Sequence, residues 1–451
     1  MKKLVAFLLV VVLFCFSACG ENNAVNNTDV DTYGDSVNLT QTTEYEERET
    51  FLTEITSTGQ IPYDKFNHSS WYDSYTNNDY ADYFETELFR FYYDGKYGYC
   101  DEYGNIVLNE NYDQAGVFSE DKAVVKVDDE WKVIDINGNV LTELPEGYAY
   151  EYWNVLFQNG KLFAFEKAYV RQAYIGLSGV YDLNVITVDD KMQTHEFTID
   201  GGEELTYRAI NTPEFSGVLL NYCHFNKDTL EYDYDYKLVD CSGNVIWQQV
   251  IPDNNFVSDK VDNVLGNMMY FRNAMWNTPL RTFIAKNGYM NIVDENKKWG
   301  LIELATGEVV LPCSYDYVGA FSDDVVPVCS YGKWGYADVS GNFVLNPSFS
   351  YTGEVTNDRA FAITSDDTCC VIDKAGNIVA NYSITLDEKV NLVYPFSEET
   401  GLAVIIKGYD RDSACIISDT GELLLSSQDF NGLYFSDDFI FMDSQMYRIE
   451  K

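Results

Sequence analysis

The feature that most constrains this chain is a repeat interval. The turn glycines Gly104 and Gly138 are 34 residues apart, Gly307 and Gly341 are 34 apart, and Gly341 and Gly376 are 35 apart. A second mark keeps the same phase. Phe118-Ser119-Glu120-Asp121 begins 14 residues after Gly104, Phe321-Ser322-Asp323-Asp324 begins 14 after Gly307, and Phe435-Ser436-Asp437-Asp438 begins 14 after Gly421. Phe396-Ser397-Glu398-Glu399 sits 20 after Gly376, so that copy carries an insertion. A unit this short cannot bury its own apolar face, so successive units must stack on one another.

Each unit reads as β structure. In Trp334-Gly335-Tyr336-Ala337-Asp338 alternate side chains point to opposite faces, which puts Trp334, Tyr336 and Asp338 on one side. Gly341-Asn342 before Phe343-Val344-Leu345 is a short-hairpin signal, because Gly and Asn take up positive φ at little cost. Val325-Val326-Pro327-Val328 is a further strand, with Pro327 indicating an edge or a bulge. Aromatic residues make up 16% of the chain and 36 of them are Tyr, which suits pleated sheets.

The repeated residues resemble the WG-repeat family. Trp299-Gly300 and Trp334-Gly335 match the motif that names it, and Tyr112-Asp113 and Tyr315-Asp316 match its middle element. Tyr97-Gly98 substitutes Tyr for Trp, Cys369 stands at another Trp position, and Trp131 lacks its Gly. Gly104, Gly138, Gly307, Gly341, Gly376 and Gly421 mark the turns. From 145 to 290 the pattern is mostly lost, although Asp240-Cys241-Ser242-Gly243-Asn244 and Phe256-Val257-Ser258-Asp259 look like a worn copy. The resemblance implies an all-β fold of tandem antiparallel hairpin repeats, and no activity. A propeller-like ring and an open superhelical array both satisfy the stacking requirement, with the curved, propeller-like form preferred.

The N-terminus reads as an export signal. Lys2 and Lys3 precede the apolar run Leu4 to Phe16, and small residues Ser17 and Ala18 precede Cys19. The run is short for a membrane-spanning helix. Phe16-Ser17-Ala18-Cys19-Gly20 resembles the lipobox of bacterial lipoproteins, with Phe where Leu is usual. That resemblance implies cleavage before Cys19 and diacylglycerol on its thiol, which would anchor the protein to the outer face of the cell membrane. Two acyl chains suffice for stable anchoring. The expected organisation is a signal peptide over 1–18 and a disordered acidic Asn/Thr-rich tether over 19–83. WG-type repeats follow over 84–145, divergent β repeats over 146–294, and WG-type repeats again over 295–451.

Charge narrows the partners. With Lys plus Arg at 30 and Asp plus Glu at 72, the formal net charge is −42. Such a surface repels phosphate backbones and anionic headgroups, so nucleic acid is excluded as a partner, while cations and neutral glycans are compatible. The three histidines, His68, His195 and His224, show no metal or triad spacing, and no phosphate-cradling or nucleophile-elbow motif occurs. No catalytic, cofactor or metal residue is therefore assigned. Asp29-Val30-Asp31-Thr32-Tyr33-Gly34-Asp35 loosely resembles a calcium loop, but it lacks the following Glu and reads as linker.

Glu231-Tyr232-Asp233-Tyr234-Asp235-Tyr236 places three acids on one strand face and three tyrosines on the other. Tyr232, Tyr234 and Tyr236 are thus candidate ligand-stacking residues, set against a structural reading of packed tyrosines and solvated acids. The eight cysteines after Cys19 lie in apolar strand runs at no shared repeat position and read as buried thiols. The function expected is non-catalytic binding of a protein or glycan at the cell surface. The alternatives are an envelope glycan hydrolase using a carboxylate pair and a structural spacer.

Overall fold

The structure is a computed structural model. It describes residues 50–61, 66, 88–150, 155, 157–172, 179–226, 230–251, 279–382, 390–407, 413–427, 433–442 and 445–450. Cys19, the signal segment, the Asp29–Asp35 stretch, His68 and Phe256-Val257-Ser258-Asp259 lie outside the described residues. Residues 47–451 form one compact unit.

Among the described residues the regular structure is antiparallel β, apart from one short 3-10 turn, Pro279–Thr282. The strands form eight sheets in chain order, here called blades 1 to 8. Blade 1 spans 89–112, blade 2 114–143, blade 3 161–251, blade 4 285–315, blade 5 317–349, blade 6 351–381 and blade 7 390–427. Blade 8 combines Leu433–Phe435, Phe439–Met442 and Gln445–Glu450 with the N-terminal strand Phe51–Ile55.

Apolar packing shows that the blades close into a ring. Tyr99 of blade 1 shares a core cluster with Val125 and Ile134 of blade 2. Val124 and Val133 of blade 2 pack with Leu162 and Ile186 of blade 3. One large cluster then runs from Leu219 and Leu238 of blade 3 through Trp299, Trp334 and Phe361 to Ile405 of blade 7. Val404 and Ile416 of blade 7 meet Ile440 and Ile449 of blade 8. Phe441 and Met446 of blade 8 return to Phe89, Phe91 and Cys100 of blade 1. The result is an eight-bladed β-propeller.

Closure is made by the chain ends. Phe51 pairs with Glu450 and Ile55 with Met446, so the first described strand completes the last blade. Phe51–Ile55, expected within the disordered tether over 19–83, is therefore a folded strand of blade 8. Local composition hid this strand, because its pairing partner lies at the far end of the chain.

The signature residues each have a steric reason. A Cβ on Gly335 would lie 2.2 Å from the carbonyl oxygen of Leu345, and one on Gly300 2.4 Å from that of Leu311. The fourth strand bulges over this position, and only glycine admits it. Gly98 is crowded likewise, by Phe91 and the Leu108 carbonyl. Blade 2 explains the missing glycine after Trp131. Its fourth strand is only Val140–Glu143, against seven residues in Phe343–Phe349, and Lys132 simply pairs with Glu143. Trp299 and Trp334 are buried, and Cys369, at the same position in blade 6, is buried too.

The turn glycines have two jobs. Gly341 sits at φ 84° in the loop closed by Asp338 N–H to Asn342 O, a three-residue hairpin loop with the glycine left-handed. Asn342 does not share the positive φ; its side-chain amide donates to Asp338 Oδ2 at 3.0 Å. Leu311 of the preceding blade also packs on Gly341, as Leu108 does on Gly138 and Leu345 on Gly376. Gly104, Gly307 and Gly421 share the left-handed backbone. Pro327 turns its N–H-less edge toward the side where the two-residue strand Tyr317–Val318 has ended, which is the edge-like site it requires.

Blade 3 is double width, with six strands in sequential order. Its strand Thr194–Asn211 carries 18 residues and folds the sheet back on itself. Phe165 pairs with Val185 and Val185 with Phe197, while Tyr207 lies ten residues further on, about 33 Å along a straight strand. Yet the Phe165 and Tyr207 rings are 4.7 Å apart. The bend falls at Gly201-Gly202, where a Cβ would strike the Tyr181 carbonyl or the Tyr222 ring. Both halves carry the Asp turn. Lys191 and Gln193 N–H donate to Asp189 Oδ1, and Ser242 and Asn244 N–H donate to Asp240 Oδ1. The sheet is two repeat units sharing one continuous strand. Blade 4 begins at Ala285, so the boundary expected at 295 falls inside it.

Candidate functional site

In blades 2, 4, 5 and 6 the fourth strand is the most exposed and the short first strand is buried or half-buried, so first strands face the axis. The turns joining strands one and two, and strands three and four, share one face of the ring, here called the turn face. In blades 2, 4, 5 and 6 the turns between strands one and two are two-residue connections with both residues at positive φ, Glu120 and Asp121, Asn287 and Gly288, Asp323 and Asp324, and Asn357 and Asp358, and Asn159 and Gly160 make the same turn ahead of Lys161–Gln172. Ser119 bridges Lys122, Ser322 bridges Val325 and Thr356 bridges Arg359 across them. This is the type I′ geometry that favours Asn, Asp and Gly. The Phe-Ser-acid-acid phase mark is thus a turn, and its chemistry puts carboxylates on one face.

Neighbouring turns are bonded to one another. Ser119 Oγ donates to Phe157 O at 2.6 Å, and Gly160 N–H to Glu120 Oε2 at 3.0 Å. Asn287 Nδ2 donates to Phe321 O at 3.3 Å and Asp358 N–H to Asp323 Oδ2 at 2.8 Å. Asn357 Nδ2 reaches Glu398 O at 2.9 Å, and Ser397 Oγ reaches Asp437 Oδ1 at 2.6 Å. These contacts link blades 2 and 3, and then blades 4 to 8 in succession. Interblade bonds also come from the core. Tyr99 and Tyr336 donate to Gly116 O and Gly353 O of the next first strand, and Arg90 and Asn291 donate to Ala115 O and Val318 O.

At blade 1 this collar gives way to a pocket of about 600 Å³. Asp101, Glu102 and Val107 of blade 1, Phe118, Asp121 and Ile136 of blade 2, and Asp438, Phe439 and Arg448 of blade 8 contribute to its described walls. Arg448 Nη2 donates to Glu102 Oε1 at 3.1 Å and to Tyr103 Oη at 2.9 Å. Asp101 is occupied by its own turn, accepting from Tyr103 and Asn105 N–H. No signal in the sequence announced this pocket, because its walls come from residues more than 300 positions apart.

On the opposite face the ion pairs Lys298–Asp316, at 2.7 Å, and Lys96–Asp113 explain the Tyr-Asp element. In these two blades the lysine before the Trp or Tyr anchors the aspartate where one blade leads into the next. Asp113 is held below the usual carboxylate range by its hydrogen bond from Lys96.

The tyrosine row does not form an exposed platform. Tyr236 is completely buried, with its ring 5.6 Å from Phe283. It lies four residues before Asp240, as Trp334 lies before Asp338, so it fills the Trp position of its unit. Tyr234 is partly buried, and Tyr232 packs edge-on against Phe225 at 5.5 Å. Nor are the acids uniformly solvated. Asp235 is 6% exposed and accepts from Tyr222 Oη at 2.8 Å and Gln248 Nε2 at 3.0 Å. Burial next to a strand-paired neighbour outweighed alternation here.

The eight cysteines after Cys19 are free thiols, six of them buried. Burial pushes Cys313 and Cys370 up to about 11 and Cys223 and Cys329 up to about 12. Thiolate, the reactive form, is correspondingly scarce at neutral pH. His224 Nε2 lies 3.8 Å from Asp233, and His195 pairs across strands with Thr187. Among the described residues no group of three or more His, Cys, Asp or Glu is arranged to hold a metal. No described helix is long and apolar enough to cross a membrane.

A family profile agrees with the repeat positions. The profile of the WG containing repeat family matches residues 97–131, 299–334 and 334–364. No curated protein matches the chain. Among solved structures, BamB from Moraxella catarrhalis is 10% identical with a TM-score of 0.38, over 75% of this chain and 96% of that one. A eukaryotic initiation factor is 13% identical with a TM-score of 0.44, over 81% and 89%. The computationally designed Ika8 protein is 12% identical with a TM-score of 0.39, over 75% and 96%. The ring itself rests on this chain's own sheets and their closure.

Proposed function

We propose that this chain, a closed propeller carrying WG-containing repeats, is a non-catalytic binding module held outside the cytosol by a lipid on Cys19. The observation that supports it best is the bonded collar of turns. Blades 2, 5, 6 and 8 set Glu120, Asp121, Asp323, Asp324, Asp358, Asp437 and Asp438 on one side of the ring. Preorganised groups on a rigid scaffold lose little entropy when a partner docks. A field of one sign speeds the approach of an oppositely charged surface. The partner class this reading favours is a protein with a basic docking surface.

Two experiments test it. Metabolic labelling with a palmitate analogue should mark the native chain and not Cys19→Ala. The compact unit 47–451, immobilised and exposed to envelope extract, should retain a basic partner. Combined Asp323→Asn, Asp324→Asn and Asp358→Asn substitution should lower that retention, while unfolding stays unchanged. Cleavage of a chromogenic glycoside by the unit, with no retained partner, would overturn the reading in favour of a hydrolase.

A further inference from the structure

We propose that the pocket over blade 1 receives a lysine or arginine side chain of a partner protein. This rests on the interaction reading above and gives it a point of attachment. Three observations carry it. The first is position: turn-to-turn bonds join blades 2 and 3 and blades 4 to 8, and the pocket lies between the turns of blades 8 and 2. Its volume of about 600 Å³ is within the range of roughly 300–1,000 Å³ usual for ligand clefts.

The second observation is the state of the charges. Asp121 of blade 2 and Asp438 of blade 8 border the pocket, both exposed. Among the described residues neither carboxylate has an ion pair or hydrogen-bond partner. The lining guanidinium, Arg448, is already engaged by Glu102 and Tyr103 and lies over the Phe439 ring. The described walls therefore carry uncompensated negative charge from two directions. A cation entering between Asp121 and Asp438 would gain charge-assisted hydrogen bonds.

The third is the apolar lining. Val107 and Ile136 are 47% and 39% exposed, and Phe118 and Phe439 complete the wall. Methylene stems of Lys and Arg lie along such surfaces while their charged ends stay with polar groups. A bare divalent ion fits less well, since no described cluster supplies three ligands. An anionic ligand would meet four carboxylates, Asp101, Glu102, Asp121 and Asp438.

The test uses the compact unit 47–451, which contains every described strand and its own closure. The probe is a fluorescent peptide of alternating Lys and Leu, followed by anisotropy, beside the same peptide with every lysine acetylated. Paired Asp121→Asn and Asp438→Asn should weaken binding of the basic probe about tenfold or more, the loss expected for two charge-assisted contacts. Paired Asp94→Asn and Asp129→Asn, exposed in the turns before Lys96 and Glu130 on the opposite face, should change it less than about twofold, as screened charges at a distance do. Val107→Trp, which fills the pocket and leaves the charge alone, should weaken it as well, and the acetylated probe should not bind. Equal losses from both Asp pairs, or full affinity in Val107→Trp, would overturn the pocket and leave the interaction reading standing. Failure of the wild-type unit to bind the basic probe would also overturn it, while retention of a partner from envelope extract judges the broader reading separately.

Discussion

Blades 4 and 5 and the double third blade solve one packing problem with different residues. In blades 4 and 5 the third strand is Trp-Gly, and a seven-residue fourth strand crosses close above the glycine. In the second half of blade 3 the same two positions are Tyr236 and Lys237. Tyr236 is as buried as Trp299, and Lys237 is drawn over the Tyr222 ring at 4.8 Å and lies 3.7 Å from Asp235. What the units share is the Asp turn and a large aromatic at the core position. The Trp-Gly pair is one solution to that geometry, and the unit does not depend on it.

The comparison is most exposed to failure at the aromatic position. Trp334→Ala should cost about 3–5 kcal/mol, the range for emptying a buried aromatic site, and Tyr236→Ala should cost about as much. Urea unfolding of both variants measures this. A silent Tyr236→Ala would mean that blade 3 is not built from the same unit.

The glycine is the next discriminator. Gly335→Ala puts a Cβ against the Leu345 carbonyl and should cost about 1–3 kcal/mol through overpacking. Lys132→Ala, at the same position in blade 2, should cost about 1 kcal/mol or less, since only a surface ion pair with Glu130 is lost. Equal shifts in unfolding midpoint would refute the crossing-strand explanation.

The lysine pairs sharpen the account of the opposite face. Lys298→Met strands Asp316, 6% exposed, without its cation and should cost about 1–3 kcal/mol. Lys96→Met, where both partners are about 40% exposed (43% and 41%), should cost about 1 kcal/mol or less. A reversed order would show that burial does not set the strength of this pair.

The smallest effect belongs to the turns. The Asn342 and Asn139 side chains, and then their backbone N–H groups, hold Asp338 and Asp135 below the usual carboxylate range. Because the folded value is the lower one, the contribution is fully present above the unfolded value of about 3.9 and fades as pH falls through the folded value. Asp338→Asn should flatten the acid limb of the stability curve. An unchanged limb would remove the turn from the acid account.

Much of the local architecture was legible because it is periodic. The glycine interval and the Phe-Ser-acid-acid mark located hairpins whose turns the structure shows in detail, and Asp240–Asn244 takes the same turn as Asp338–Asn342. Three things were not legible. Phe51–Ile55 looked like tether because its partner strand is almost the whole chain away. Asp235 looked solvated because alternation gives a face and says nothing of what covers it. The pocket left no mark, since Asp121 and Asp438 belong to separate turns.

The sequence by itself therefore determined the unit. Turn residues with the right φ preference and a period of alternating apolar side chains are short-range facts, and short-range sterics enforce them. The number of blades, the fold-back of the third, the closure of the eighth and the convergence of carboxylates on one face were decided by tertiary structure. They depend on which apolar faces meet around the ring, and that is a property of all the units together.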